Sequence, residues 1–560
     1  MKKDKLRETT AAGFRRRAKI TKGLNFVGQQ ATVNAGHTLL CSMSTFKKLA
    51  SDTALYGVST ILGRLLSYIL VPLQTYAFTR PKELSSNVEF YSYIALLLVI
   101  YTFGLETAFF RFSARKPELL TKTFNETLSL VLVITITGTA LLLLLAPQIT
   151  VWLNYPGQTT FIRWSALIVA IDAIIAIPFA RLRVENKARQ FVKVRMLNIA
   201  TVVAFNVFFL VICPDIYGDK YLPGLKPLIS YVYNPTIGPG YIFLANLLGN
   251  AFYFLLLRDA FRGFRFRFNW PDVRVLYVYA YPIMLTGLAN VVNNLTDRLF
   301  LRHYLPEGFY QDAHGVLLTN EDALGIYGNC FKLSVFMALA TQSFRFAADP
   351  FFFSRAEDKN SPALLADVTK WFTIVCVIIW VGVSVNIDIL GKVMLAPAYR
   401  QGLYIVPFLL LGNLFLGVYQ NIGFWFKLTD KTKFGTLFTL IGATITVLGN
   451  MLLIPLMGFM GCVVAFLTSS FVMLVLCYVL GEKYYPVPYN VRSAAGYLLA
   501  AGVLIYAVWL FPIPNLWIAV PVHMVLLGLF VIVIGYVERA TFVPLLARFR
   551  KRPTTPVKTV

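Results

Sequence analysis

A chain of 560 residues that is 57% hydrophobic and only 14% charged, with a mean hydropathy of +0.65, is not an ordinary soluble protein, because soluble chains carry about a quarter charged residues. Its formal net charge of +25 does not point to nucleic acid: the Lys and Arg residues fall in short clusters between apolar runs, where a membrane surface needs them, and no soluble basic module is present. The cysteines Cys41, Cys213, Cys330, Cys376, Cys462 and Cys477 lie mostly inside apolar runs without a CxxC pair, which argues against a metal or disulfide framework.

The first 42 residues are basic and irregular, with the run Arg15-Arg16-Arg17, and hold no apolar core long enough for a secretory signal. Met43 opens Met-Ser-Thr-Phe-Lys-Lys directly ahead of the first apolar run. Segment 1–42 therefore reads either as sequence upstream of a translation start at Met43 or as a disordered basic arm against anionic lipid. Apolar runs near 20 residues, enough to cross the hydrocarbon core, then follow at 53–78, 88–110, 124–147, 161–182, 196–213, 239–257, 275–300, 323–344, 369–390, 403–426, 434–454, 458–480, 493–512 and 516–537.

The connections 111–123, 181–195, 258–274, 345–370, 427–433 and 481–492, with the C-terminal tail, hold about 30 Lys and Arg, against about 8 in the alternate connections. Positive-inside bias places both termini in the cytoplasm, and adding or removing one helix would break the alternation.

Within this series the chain repeats itself. Phe110-Arg111-Phe112-Ser113-Ala114 closes the second run and Phe344-Arg345-Phe346-Ala347-Ala348 closes the eighth; the same offset aligns Gly63-Arg64-Leu65-Leu66 with Asp297-Arg298-Leu299-Phe300. The matches lie six runs apart. An even repeat unit keeps its orientation, so the halves are related by an axis along the membrane normal. The expected fold is an all-α integral membrane protein of about 14 transmembrane helices: two parallel-repeat six-helix lobes at 43–270 and 271–480, two further helices within 481–540, and a basic cytoplasmic tail at 541–560.

Polar residues inside the runs carry the functional signal, since an ionised side chain at the bilayer centre must face protein or water. In the first run Thr53, Tyr56, Thr60, Arg64 and Ser67 form one face. In the seventh, Asn290, Asn293, Asn294 and Asp297 follow i, i+3, i+4, i+7 spacing, and Arg298 and Arg302 extend the stripe. Lys332, Asn413, Gln420 and Asn421 are further intramembrane polar residues. The functional reading is a hydrated cavity between the lobes, in which Arg64, Arg298 and Lys332 bind an anionic group such as a pyrophosphate. The bland reading pairs Asp297 with Arg298 or Arg302 and leaves Arg64 on backbone carbonyls. Glu106, Arg111 and Arg345, near the basic ends of helices, are candidates for gating or ion coupling, although interfacial anchoring explains the arginines as well. Asp172, in Ala-Ile-Asp-Ala-Ile, is a candidate for proton relay or for bonding a neighbouring helix; the second reading is favoured.

No G-x-x-x-x-G-K-[ST] phosphate loop is present, and His37, His303, His314 and His523 are scattered without metal-ligand spacing. The longest external connections, 214–238 and 301–322, are too short to house an extramembrane catalytic domain. Transport is expected and enzyme activity is not, with no cofactor beyond a coupling gradient of H+ or Na+.

Several stretches resemble the Wzx-type oligosaccharide flippases of polysaccharide biosynthesis, within the multidrug/oligosaccharidyl-lipid/polysaccharide (MOP) superfamily. They are Gly104-Leu105-Glu106-Thr107-Ala108-Phe109-Phe110-Arg111-Phe112, Asp172 with Ile177-Pro178-Phe179-Ala180-Arg181-Leu182-Arg183, Thr296-Asp297-Arg298, and Leu324-Gly325-Ile326-Tyr327 through Lys332. The resemblance implies alternating access by two lobes in a bacterial inner membrane. Its implied cargo is a polyprenyl-diphosphate-linked oligosaccharide for surface polysaccharide, such as the O-antigen of lipopolysaccharide. It also implies membrane lipids and polysaccharide polymerase or other assembly proteins as partners, with a monomer as the default. Competing expectations are a lipid-linked peptidoglycan-precursor flippase, an ion-coupled drug exporter, which would need an acidic cavity, and a membrane-embedded polymerase or ligase.

Overall fold

The computed structural model describes residues 62–63 and 68–539, apart from 116, 156, 355–360 and 430. Arg64 lies outside the described residues. The main helices are α1 (residues 68–77), α2 (Pro81–Thr102), α3 (Leu105–Arg115), α4 (Leu120–Trp152), α5 (Thr159–Val184), α6 (Ala188–Val207), α7 (Gly240–Leu256), α8 (Trp270–Tyr304), α9 (Asn320–Lys332), α10 (Val335–Ser354), α11 (Ser361–Val385), α12 (Val406–Ile422), α13 (Lys433–Met457), α14 (Phe459–Tyr484), α15 (Val491–Leu510) and α16 (Leu516–Val537). Among the described residues, 11 helical stretches are long and apolar enough to cross a membrane, or 12 when the α9–α10 pair, bent by 40°, is taken as one span. The chain is an all-α, multi-pass integral membrane protein.

Two spans are interrupted, and both interruptions have local causes. Between α2 and α3, Phe103 (φ 51°) and Gly104 (φ 71°) adopt left-handed backbone, a conformation that glycine enters without steric penalty. A Cβ at Gly104 would lie 2.9 Å from the carbonyl oxygen of Ala280, so the break also lets α3 close against α8. Between α9 and α10 the chain turns at Leu333-Ser334, and α9 starts from a capping box in which Thr319 and Asp322 satisfy each other's backbone amides. These are the second and eighth spans, the pair matched by the sequence repeat.

In the first half, α2 to α5, α7 and the start of α8 share a core centred on Phe90, Phe109, Phe124, Val169 and Phe243. The second half packs α11 to α14 around Val377, Tyr399, Leu409, Trp425 and Phe466. Helix α8 belongs to both, contacting α2 and α3 on one flank and α9, α13 and α14 on the other. The terminal pair α15–α16 docks on α11, where Lys370 meets Glu538 at 2.5 Å and the Tyr497 hydroxyl donates to the same carboxylate at 2.7 Å.

The basic connections gather at one end of the bundle: Arg181 donates to the carbonyls of Ala260 and Arg262, and Lys122 pairs with Asp272 at 2.9 Å. At the opposite end the two halves close on one another. Tyr399 donates to the Phe78 carbonyl at 2.6 Å, and α9 packs along α2 so closely that a Cβ on Gly325 would sit 2.0 Å from the carbonyl oxygen of Pro81. A backbone carbonyl cannot rotate away. Gly325→Ala is therefore expected to destabilise the protein by about 1–3 kcal/mol despite the better helix propensity of alanine. Thermal unfolding in detergent measures this, and an unchanged or raised melting temperature would show that the halves are not in this close contact.

Candidate functional site

The polar stripe of α8 divides into two rows, each running at i, i+4 spacing. Asn293 and Asp297 are buried against the second half. Asn293 accepts hydrogen bonds from Thr446 and, at 2.9 Å, from Ser469. Asp297 accepts from the Tyr327 hydroxyl at 2.5 Å and from the backbone amide of Arg298 at 2.9 Å. These contacts join α8 to α9, α13 and α14. The other row is Asn290, Asn294, Arg298 and Arg302. Asn290 is exposed and Asn294 half-buried, and the Asn294 side chain donates to the Asn290 carbonyl at 2.7 Å.

Arg298 lies six residues before the end of α8, roughly 9 Å along the axis. Its guanidinium stacks 3.9 Å above the Phe331 ring, donates to the Asn294 carbonyl at 3.0 Å and stands 3.7 Å from the Asp297 carboxylate. Lys332 closes α9, about 18 Å along the axis from that helix's start, and donates one hydrogen bond, 2.9 Å long, to Asn329. An ammonium has three donors and a guanidinium five. Among the described residues, the remaining donors of Arg298 and Lys332 make no hydrogen bond. Among the described residues, Arg298 has one carboxylate beside it, which also serves Tyr327, and Lys332 makes no ion pair, an arrangement suited to holding an anion.

Of the remaining candidates, Glu106, Arg345 and Asp172 have partners within their own half. Glu106 pairs with Arg183, and Arg345 donates to Gln420 at 3.1 Å; among the described residues neither makes an ion pair across the halves. Asp172 accepts from Asn250 of α7 at 2.8 Å, a bond to a neighbouring helix. Arg111 stacks 4.3 Å from the ring centroid of Tyr279 on α8.

Sequence reasoning missed the densest polar network. Arg302, 9% exposed, donates to Glu89 at 3.1 Å, to Glu321 at 2.8 Å and to the carbonyls of Leu153 and Asn154 at 2.8 and 3.0 Å, with Tyr155 stacked at 3.7 Å. Glu89 is fully buried and also accepts from Tyr93 at 3.1 Å and Tyr155 at 2.7 Å. Lys82 completes the chain of charges at 2.9 Å from Glu321. The network ties α2 and the α4–α5 turn of the first half to α8 and α9. Glu89 stands in Asn87-Val88-Glu89-Phe90-Tyr91; an acid so close to an apolar run, with Arg302 at the matching end of α8, is the signal that could have revealed the pair. Also missed was Asn450 of α13, fully buried, with neither end of its amide bonded among the described residues.

No protein-family model matches the chain, and no curated protein matches it by sequence. Solved structures do match its fold. Against the lipid II flippase MurJ in an inward closed conformation, the TM-score is 0.65 at 13% identity, covering 87% of this chain and 99% of that one. An inward-facing multidrug resistance MATE family transporter of the MOP superfamily gives 0.51 at 12% identity, covering 82% and 100%. The MATE multidrug transporter DinF-BH gives 0.54 at 14% identity, covering 78% and 95%. The chain shares the fold of these transporter structures. These neighbours are transporters, not enzymes. In a fold of this kind the Arg302 network stands where the halves meet at one end of the bundle, and it must come apart if that end is to open.

Arg302→Ala leaves the buried Glu89 without its counter-charge and is expected to destabilise by about 3–5 kcal/mol. Arg302→Met combined with Glu89→Gln removes both charges and should recover most of that stability while loosening the closure. A Ser85→Cys reporter, buried beside the network, should then react faster with a membrane-impermeant maleimide than in the otherwise unchanged protein. Equal labelling in both backgrounds would remove the network's role in closing this end.

Proposed function

We propose that the protein is a flippase that moves a polyprenyl-diphosphate-linked oligosaccharide between membrane leaflets by alternating access of its two halves, in the assembly of a surface polysaccharide. The observation that carries this reading is the pair Arg298 and Lys332, held inside the membrane with unspent donors among the described residues, and with the Asp297 carboxylate beside Arg298 as the counter-charge. A pyrophosphate supplies the missing negative charge and acceptors. Its polyprenyl tail remains in lipid between the halves while the headgroup occupies the seam. A cationic drug would meet repulsion here, which speaks against the exporter reading. The higher TM-score to a lipid-linked precursor flippase than to two multidrug transporters supports the same choice, and a peptidoglycan precursor is the second reading on that ground.

The excess of Lys and Arg in alternate connections supports cytoplasmic termini and an inner-membrane location. In that orientation the Arg302 network closes the periplasmic end and substrate is loaded from the cytoplasmic leaflet. Arg64, on the first span, is assigned to the same anion site from its sequence position, with Asn290 and Asn294 as its polar wall. The polysaccharide polymerase and other assembly proteins are the proposed receivers of the flipped product, and a gradient of H+ or Na+ the proposed drive.

The test is flipping of a fluorescent polyprenyl-diphosphate oligosaccharide in proteoliposomes, with and without an ion gradient. A hydrogen bond to a charged group contributes about 1.5–3 kcal/mol, so Arg298→Gln and Lys332→Gln should each slow flipping by roughly tenfold to a hundredfold without loss of folded protein. Wild-type rates in the double variant would overturn the assignment of these residues. Transport of a cationic dye, but not of the lipid-linked sugar, would overturn the flippase reading.

A further inference from the structure

A cavity of about 840 Å3 lies at the basic end of the bundle in the fork between α3 and the first half of α8. Its lining combines two arginines with an apolar trough. Arg111 reaches in from α3, with its guanidinium over Tyr279; Arg274 stands in the first turns of α8, exposed. Below them α8 presents Val275, Val278, Pro282 and Ile283, with Val275 54% and Val278 62% exposed on a membrane-spanning helix. From Arg274 to Ile283 the helix descends roughly 13 Å, enough to line much of one acyl chain. The nearby acids are already engaged, Asp272 by Lys122 and Glu106 by Arg183. Among the described residues neither Arg111 nor Arg274 has an ion-pair partner.

We infer that this cleft binds one anionic phospholipid of the basic-side leaflet, its phosphate between Arg111 and Arg274 and one acyl chain along the trough. Basic pockets between transmembrane helices on the basic face of a membrane protein select such headgroups. Charge decides the class: two guanidiniums without a carboxylate favour a lipid with net negative charge over a zwitterionic one, whose own cation they repel. Arg111 stands on α3 and Arg274 on α8, so a bound lipid bridges these two helices and stabilises the fork between them. The inference rests on the membrane placement of α3 and α8 and is independent of what the protein transports.

The test compares wild type with Arg111→Gln/Arg274→Gln, delipidated in mild detergent and titrated with phosphatidylglycerol or phosphatidylcholine under native mass spectrometry. Wild type is expected to retain one phosphatidylglycerol more per chain than the variant, to bind it at least tenfold more tightly, and to gain thermal stability from it that the variant does not. Val278→Trp, which fills the trough and keeps both arginines, should lose the same lipid and provides the answer if the double variant does not fold. Equal retention by all three proteins, or retention of phosphatidylcholine matching that of phosphatidylglycerol, would overturn the site. Excess short-chain polyprenyl diphosphate should leave the bound phosphatidylglycerol in place; its displacement would assign the cleft to a lipid-linked diphosphate and overturn the phospholipid.

Discussion

A guanidinium withdrawn from water has to find acceptors for its N–H groups and a counter-charge, or the desolvation cost dominates. Arg302 meets that requirement by drawing on both halves of the chain at once: Glu89 on α2, the carbonyls of Leu153 and Asn154 in the α4–α5 turn, and Glu321 on α9. Its neighbours are set by the same need. Glu89 is buried because Arg302, Tyr93 and Tyr155 fill its lone pairs, and the close passage of α9 over Pro81 follows from the halves being drawn together at this end.

Seen from this anchor, α8 separates two kinds of polarity. The row facing the second half is self-sufficient: Asn293 and Asp297 spend their acceptors on Thr446, Ser469 and Tyr327, so it rigidifies packing. The row ending in Arg302 begins at Asn290 and Asn294, bonded to each other, and passes through Arg298, which has donors to spare among the described residues. One helix thus holds the halves together near its last turn and carries the proposed anion site a turn earlier. In the proposed cycle, opening one end and releasing a ligand would be mechanically adjacent events on the same element.

Much of this was legible in the sequence because lipid imposes a long, simple signal. The expected run 434–454 lies within α13, Lys433–Met457, and 516–537 coincides with α16. Helix ends were less legible, since turns that emerge beyond the hydrocarbon lose the apolar signature while keeping their hydrogen bonds. That is why α8 extends from Trp270 to Tyr304 around an expected 275–300, and why α2 starts at Pro81 instead of 88. The second discrepancy hid Glu89: an acid at the start of a span reads as a headgroup contact, whereas two turns inside a helix it is a buried ion. Helical spacing identified the stripe on α8, but the division of that stripe between two neighbours depends on tertiary packing that no periodicity encodes. The breaks at Phe103-Gly104 and Leu333-Ser334 were equally silent.

The Lys370–Glu538–Tyr497 cluster has a mechanical consequence. By fastening α15 and α16 to α11, it adds two helices to the second half of the protein. The added rim is thoroughly lipophilic, with Leu499 71%, Val503 70% and Ile532 66% exposed. In the proposed rocking of the halves, this side would carry the added rim through the annular lipid. The work of each stroke would then depend on how stiff and how crowded the surrounding bilayer is, and a thicker or more ordered membrane would brake the cycle without touching the proposed binding site.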